Sequence, residues 1–261
     1  MSKQGKVFWV ILHIRKVMTN NSNKLQLIYI FPNLFTAASA FLGVISILAS
    51  ANGHFEKAAI YILLSLIFDG LDGRVARLTN ATSKFGAEFD SLADIVAFGV
   101  APAMLFYFSV GHMYGKVGSL LCAMYVVFGA IRLARFNIMI GVSEPSVFIG
   151  VPIPTAAVVL AMWILFYGEY SMLKGIEWVL LVGIGLLSFL MVSNIRYPSF
   201  KKIDLKKAHL IKILVYLIIV FSLLYVYPIE VGTALITAYL VYGLVRGIYT
   251  FFVAKFHKNL V

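Results

Sequence analysis

Long apolar stretches, separated by short polar segments, dominate the sequence. Eight of these stretches are close to the length of about 20 residues that a helix needs to cross the hydrocarbon core of a bilayer. They lie at residues 29–51, 57–78, 89–111, 117–135, 150–168, 176–195, 209–227 and 231–254. The pattern predicts an all-α polytopic membrane protein with about eight transmembrane helices.

The composition supports this prediction. Of the 261 residues, 61% are hydrophobic and 13% are charged, which is more apolar surface than a single soluble core would bury. We expect one membrane domain over residues 29–254, preceded by an N-terminal segment at 1–28 and followed by a cytoplasmic tail at 255–261. The apolar run at residues 7–14 is followed by Arg15 and Lys16 rather than by a small-residue cleavage site, so it predicts a short helix in the inner membrane interface.

The positive charge is distributed unevenly between the two sides of the predicted membrane domain. The net charge is +11, and all of the 22 Lys and Arg residues except Lys57, Lys116 and Lys174 fall on one side when the eight spans alternate. The positive-inside rule then places both termini in the cytoplasm and the protein in a plasma or inner membrane. The basic surplus therefore reflects topology and attraction to anionic lipids, and we expect no nucleic-acid partner.

Four of the five aspartates lie within residues 69–94, inside or beside predicted spans. A carboxylate at bilayer depth costs about 2.5–3.5 kcal/mol, so such a cluster needs a compensating positive charge. Asp69 and Asp72 share one helical stripe near the end of the second span, because they are three residues apart. Asp90 and Asp94 share a stripe at the start of the third span. The two stripes can face each other across a hairpin.

The cluster has the composition of a divalent-cation site. Residues 69–94 contain no histidine or cysteine, and carboxylates alone favour Mg²⁺ or Mn²⁺. Two ions could be shared, which would stabilise the attacking and leaving oxygens of a phosphoryl transfer, with Arg77 adding a fixed charge for phosphate oxygens. At 1.5 Å per helical residue, Asp94 lies about 15 Å from Lys84, so the site is recessed yet open to the cytoplasm.

The spacing of these residues resembles a family signature. Eight residues match the signature of the CDP-alcohol phosphotransferase family at its fixed spacing: Asp69, Asp72, Gly73, Ala76, Arg77, Gly86, Asp90 and Asp94. Residues 32–36, 131–137, 148–154 and 193–201 resemble segments of one subgroup, the bacterial-type membrane phosphatidylserine synthases.

The resemblance implies a chemistry and a set of residue roles. In the family, the counterparts of Asp69, Asp72 and Asp90 bind the metals, and the counterpart of Asp94 is a metal-associated base that deprotonates the acceptor hydroxyl. The residues expected beside the CDP-lipid are Asn33, Thr36, Gly73, Ala76, Arg77 and Gly86. The implied reaction joins the serine hydroxyl to the phosphatidyl group of CDP-diacylglycerol and releases CMP, and the implied assembly is a homodimer.

Three questions stay open at this point. A serine acceptor needs a cation for its carboxylate, and the candidates are Lys84, Arg132, Arg135 and Arg196, although arginines at the end of a span also commonly anchor it at the interface. The acceptor could instead be glycerol 3-phosphate, inositol phosphate or choline. A divalent-cation transporter is a remote alternative, which predicts inverted repeats that we do not find in the sequence.

Overall fold

The structure is a computed structural model that describes residues 30–79, 81–139, 147–198 and 210–258. The predicted interfacial helix at residues 7–14 lies outside this part of the chain.

Eight long helical units appear in the described residues, one at each predicted span. The third unit is continuous but has three parts, with a wider π-helical turn at Ile95–Val100 between α3 and α4. The helices are α1 Ile30–Ala51, α2 Phe55–Leu78, α3 Lys84–Asp94, α4 Ala101–Ser109, α5 Gly115–Met139, α6 Ile153–Glu169, α7 Trp178–Val192, α8 Leu210–Val226 and α9 Pro228–Lys258. Short 3₁₀ turns at Gly111–Tyr114 and Ser171–Leu173 complete the helical connections.

Four helical units in the described residues are long and apolar enough to cross a membrane: Ile30–Ala51, Lys84–Ser109, Gly111–Met139 and Pro228–Gly247. Other apolar helices are shorter, and α2 carries charged residues near its C-terminal end. The protein is therefore a helical, multi-pass membrane protein.

Helix α1 packs along α2 in an antiparallel hairpin. Its buried residues recur every three or four positions, and several of them are small and polar. Ser46 Oγ donates to the carbonyl of Ala58 at 2.8 Å, and Ser65 Oγ donates to the carbonyl of Ser39 at 3.0 Å. These two interhelical bonds place residues 36–39 of α1 at the depth of the C-terminal half of α2.

Helix α6 lies at the centre of the bundle. It contacts α2, α4, α5, α7 and α9, and its buried residues are distributed around the whole helix. A helix that is apolar on every side is typical of such a central position. Helix α2, which carries Asp69 and Asp72, therefore packs directly on this apolar core.

Two short strands depart from the all-α prediction. Strand β1, Val147–Ile149, pairs antiparallel with β2, Arg196–Pro198. Gly150 then adopts a left-handed φ of +75°, and Pro152 precedes the first residue of α6. The helix consequently begins three residues after the predicted start at 150, because the backbone first has to leave the strand.

Candidate active site

The carboxylates of the two helical stripes meet between α2 and α3. Asp69, Asp72 and Asp90 can each offer a ligand oxygen such that the three oxygens lie within 4.8 Å of one another. Three carboxylates this close repel each other strongly unless a cation lies among them. An all-oxygen donor set of this kind suits Mg²⁺ or Mn²⁺, so the residues present fit the expected metal.

The turn between α2 and α3 brings these stripes face to face. The amide of Ala81 donates to the carbonyl of Ala76 at 2.9 Å, which closes the C-terminal end of α2. Ser83 is the N-cap of α3, and its Oγ accepts from the amide of Gly86 at 3.0 Å. The hairpin is therefore stabilised at both helix ends by local hydrogen bonds.

Asp94 lies beside the group of three rather than within it. Its side chain lies next to that of Asp69. It is also the last residue of α3, and the π-helical turn begins at the next residue. A π-helical turn often marks a functional position, and here it changes the helical phase directly after Asp94.

A cavity of about 500 Å³ opens beside the carboxylates. All six residues expected beside the CDP-lipid line it, together with Asp72 and Asp90. The lining residues are Pro32, Asn33, Thr36, Asp72, Gly73, Ala76, Arg77, Ala81, Thr82, Ser83, Gly86, Ala87 and Asp90. The structure thus brings the start of α1, the end of α2 and the start of α3 around one space.

Gly86 lies at a tightly packed part of the wall of this cavity. A Cβ atom at this position would lie 3.1 Å from Asn33 Oδ1 and 3.1 Å from Ser83 Oγ. A side chain here would require the side chains of Asn33 and Ser83 to shift by a few tenths of an ångström. By contrast, a Cβ at Gly73 would come no nearer to protein atoms than the guanidinium of Arg77 at 3.9 Å.

Among the four predicted acceptor-binding cations, Arg132 acts electrostatically on a carboxylate of the cluster, that of Asp94. It lies on α5, is only 7% exposed and interacts electrostatically with Asp94. Its guanidinium carbon also lies 5.3 Å from the centre of the Phe136 ring, one helical turn further along. A charge this buried requires anionic partners, and Asp94 is one of them.

Arg135 is three residues further along α5 but is engaged elsewhere. Its Nη1 donates to the carbonyl of Val192 at 3.0 Å, and its Nη2 donates to the carbonyls of Ile149 at 3.1 Å and Ser193 at 3.2 Å. These contacts connect α5 to β1 and to the end of α7.

The other two predicted cations, Lys84 and Arg196, lie on α3 and β2. Lys84 is the exposed first residue of α3, next to the lining residue Ser83. The backbone of Arg196 pairs with Ile149 in the β1–β2 ladder.

The comparisons with known proteins agree with the signature. Residues 29–187 match the sequence profile of the family described as CDP-alcohol phosphatidyltransferase. The chain belongs to this family.

Several members of the CDP-alcohol phosphatidyltransferase family are similar to the chain over most of its length. A CDP-diacylglycerol–serine O-phosphatidyltransferase of Helicobacter pylori is 50% identical over 233 residues, which cover 89% of this chain and 97% of the relative. The enzyme of the same name from Bacillus subtilis is 36% identical and covers 66% and 91% of the two chains. An archaetidylserine synthase of Methanothermobacter thermautotrophicus is 38% identical and covers 68% and 73%.

Sequence reasoning missed two features of this family member's site. Asn137 Nδ2 donates to Ser91 Oγ at 2.8 Å, which attaches the end of α5 to the aspartate-bearing helix α3. Thr36 Oγ1 donates to Asp72 Oδ2 at 2.6 Å, so Thr36 contacts a carboxylate as well as the cavity. The sequence shows a hydroxyl-bearing residue within an apolar helix at Thr36, but this pattern does not indicate which residue accepts its hydrogen bond.

Proposed function

We propose that the chain transfers the phosphatidyl group of CDP-diacylglycerol to the hydroxyl of L-serine, which yields phosphatidylserine and CMP. The observation that carries this proposal is the convergence of Asp69, Asp72 and Asp90 at the side of a cavity lined by Gly73 and Arg77. The relatives support the acceptor, because their names share serine while their lipids differ between diacylglycerol and archaeol types.

The carboxylates have two roles in the proposed reaction, metal binding and proton transfer. Asp69, Asp72 and Asp90 would hold Mg²⁺ or Mn²⁺, as two ions, and Asp94 would help to bind them. The metal supplies charge stabilisation for the phosphate oxygens and the departing CMP. Asp94 takes the proton of the serine hydroxyl, whose oxygen forms a bond to the lipid-side phosphorus while the bond from that phosphorus to CMP breaks.

The cavity residues hold the CDP-lipid in this scheme. Arg77 lies at the end of α2, where its guanidinium can contact phosphate oxygens. Gly73, Ala76 and Gly86 leave room for the headgroup because they have little or no side chain. Asn33 adds an amide on the α1 side of the same cavity.

Arg132 is the residue that we assign to the serine carboxylate. It is buried and interacts with Asp94, so a serine bound there would have its hydroxyl near the base and its carboxylate near a cation. Arg135 already donates to several backbone carbonyls, which leaves its planar fork little capacity for a substrate. Lys84 and Arg196 remain the alternatives for this role.

The membrane arrangement is part of the same proposal. We infer eight transmembrane spans with both termini in the cytoplasm, because the Lys and Arg residues concentrate on one side. The site then opens to the cytoplasmic face of the plasma or inner membrane, where serine is available. The expected homodimer stays a prediction.

The test is an acceptor panel with purified protein and CDP-diacylglycerol. Serine, glycerol 3-phosphate, inositol phosphate and choline are supplied in turn with Mn²⁺ or Mg²⁺, and CMP and new lipid are measured. We expect both products with serine alone, and a rate at least about 100-fold lower from Asp94→Asn. Products from another acceptor, with serine inert, would reassign the enzyme within its family. Metal flux into vesicles without any CMP release would instead support the transporter.

A further inference from the structure

A single hydroxyl group connects α1 to the carboxylate cluster. Thr36 Oγ1 lies 2.6 Å from Asp72 Oδ2, and the two residues are 3% and 7% exposed. This distance is typical of a hydroxyl that donates to an ionised carboxylate, which is among the stronger hydrogen bonds in proteins. The bond is therefore buried, short and directed at a predicted metal ligand.

The single proton of this hydroxyl is directed to Asp72. The other acceptor near Thr36 Oγ1 is the carbonyl of Pro32, one helical turn earlier, at 3.4 Å. A hydroxyl carries only one proton, and the shorter contact to a charged acceptor is the stronger one. A carboxylate has about four lone-pair sites, so Asp72 can accept this bond and still offer oxygens to a cation.

The backbone around Thr36 is held in place by contacts further along α1. Ser65 Oγ and Ser46 Oγ join α1 and α2 through hydrogen bonds at the next turns. Gly43 allows α1 to pack so closely on the π-helical turn that a Cβ there would lie 2.7 Å from Ala97 Cα. Threonine is also stiff at χ1, so the hydroxyl has few alternative positions.

We propose that Thr36 is a positioning residue that orients the carboxylate of Asp72 for the divalent cation. The resemblance to the family implies instead a contact with the CDP-lipid, and the two roles predict different losses on mutation. The inference rests on the metal site proposed above. Partners of this kind typically change metal affinity by roughly 10- to 100-fold when they are removed.

The experiment compares variants that differ in one group. Thr36→Val removes the hydroxyl at nearly constant shape, and Thr36→Ser keeps it. Ser46→Ala is the matched control, because it removes a buried α1–α2 hydroxyl bond that does not involve a carboxylate. Mn²⁺ binding is measured by electron paramagnetic resonance on full-length protein in nanodiscs without substrate. The apparent KM for CDP-diacylglycerol is then measured at saturating Mn²⁺.

We expect Thr36→Val to bind Mn²⁺ roughly 10- to 100-fold more weakly, with Thr36→Ser and Ser46→Ala close to wild type. The KM for CDP-diacylglycerol at saturating metal should stay unchanged. Wild-type Mn²⁺ affinity in Thr36→Val would overturn the inference, and a raised KM beside it would assign Thr36 to the lipid headgroup. Equal losses in Ser46→Ala would also overturn it, because any damage to the α1–α2 contact would then suffice.

Two further outcomes are distinguishable. If Thr36→Val does not give a folded protein, Thr36→Ala replaces it, since this change adds no atom, and the same expectations apply. Wild-type protein that binds no Mn²⁺ would overturn the proposed metal site and this inference together. Wild-type binding with an unaffected Thr36 variant would overturn only the role of Thr36.

Discussion

Arg135 lies one turn beyond Arg132 on α5, and replacing Arg135 by methionine should lower the stability of the protein. Arg135 stabilises the end of α7, because its guanidinium donates to the carbonyls of Met191, Val192 and Ser193. The last carbonyls of a helix have no partner within the helix, so these three groups depend on donors from elsewhere. Methionine retains the apolar stem of arginine but donates no hydrogen bond.

The expected loss follows from these contacts. A hydrogen bond to a charged group contributes about 1.5–3 kcal/mol. Arg135 makes several such bonds but is only partly buried, so we take about 3 kcal/mol, the upper end of the range for one bond. A protein of this size loses roughly 2–4 °C in Tm per kcal/mol, which predicts a fall of roughly 6–12 °C for Arg135→Met.

The chain offers a built-in reporter for this measurement. Cys122 is its only cysteine and is 7% exposed, so a thiol-reactive fluorophore reacts with it only on unfolding. Arg74→Met is the control, because Arg74 is an exposed arginine of α2 and its replacement should leave the Tm near that of wild type. A Tm for Arg135→Met within about 2 °C of wild type, which is below 1 kcal/mol, would refute the structural role of this residue.

Three further predictions concern the site and its packing. Asp94→Asn should lower the rate of CMP release at saturating serine by at least about 100-fold, because the amide cannot take the hydroxyl proton; retention of more than a tenth of the wild-type rate would contradict its role as base. Arg132→Ala should raise the KM for serine by roughly 10- to 100-fold, because the serine carboxylate loses its charged partner. The KM for CDP-diacylglycerol should stay constant. An unchanged KM for serine would remove Arg132 from the acceptor site. Gly43→Ala should lower the free energy of unfolding by about 1–3 kcal/mol, because the new Cβ would lie 2.7 Å from Ala97 Cα. Gly185→Ala is the control and should unfold near the wild-type temperature, because its nearest neighbour would be 3.4 Å away. Equal Tm values for the two variants would contradict the tight packing of α1.

The convergence of the aspartates could be predicted from local sequence spacing. Asp69 and Asp72 are three residues apart, and Asp90 and Asp94 are four apart, so the helical period alone places each pair on one face. The short turn at 79–83 then leaves the two faces opposed, and the structure brings oxygens of Asp69, Asp72 and Asp90 within 4.8 Å of one another. The order of the helices was predictable for the same kind of reason, because the length and apolarity of a membrane helix are local properties.

The different partners of Arg132 and Arg135 could not be predicted in this way. Arg132 and Arg135 have the same chemistry and almost the same place in the sequence, and both were candidates for the serine carboxylate. Their partners distinguish the two residues, and these partners lie on other elements: Asp94 on α3 for Arg132, and the end of α7 for Arg135. No local pattern around residues 132–135 contains that information.

The sequence by itself determined the membrane helices and the spacing of the carboxylates, because both depend on contacts within one helix or one hairpin. The tertiary structure alone decided that Thr36 donates to Asp72, that Arg135 holds the end of α7, and that β1 pairs with β2. Each of these contacts joins residues at least 36 positions apart. The packing of whole helices sets such contacts. The sequence of one helix determines the direction of a side chain, but its partner depends on which other element packs against that face.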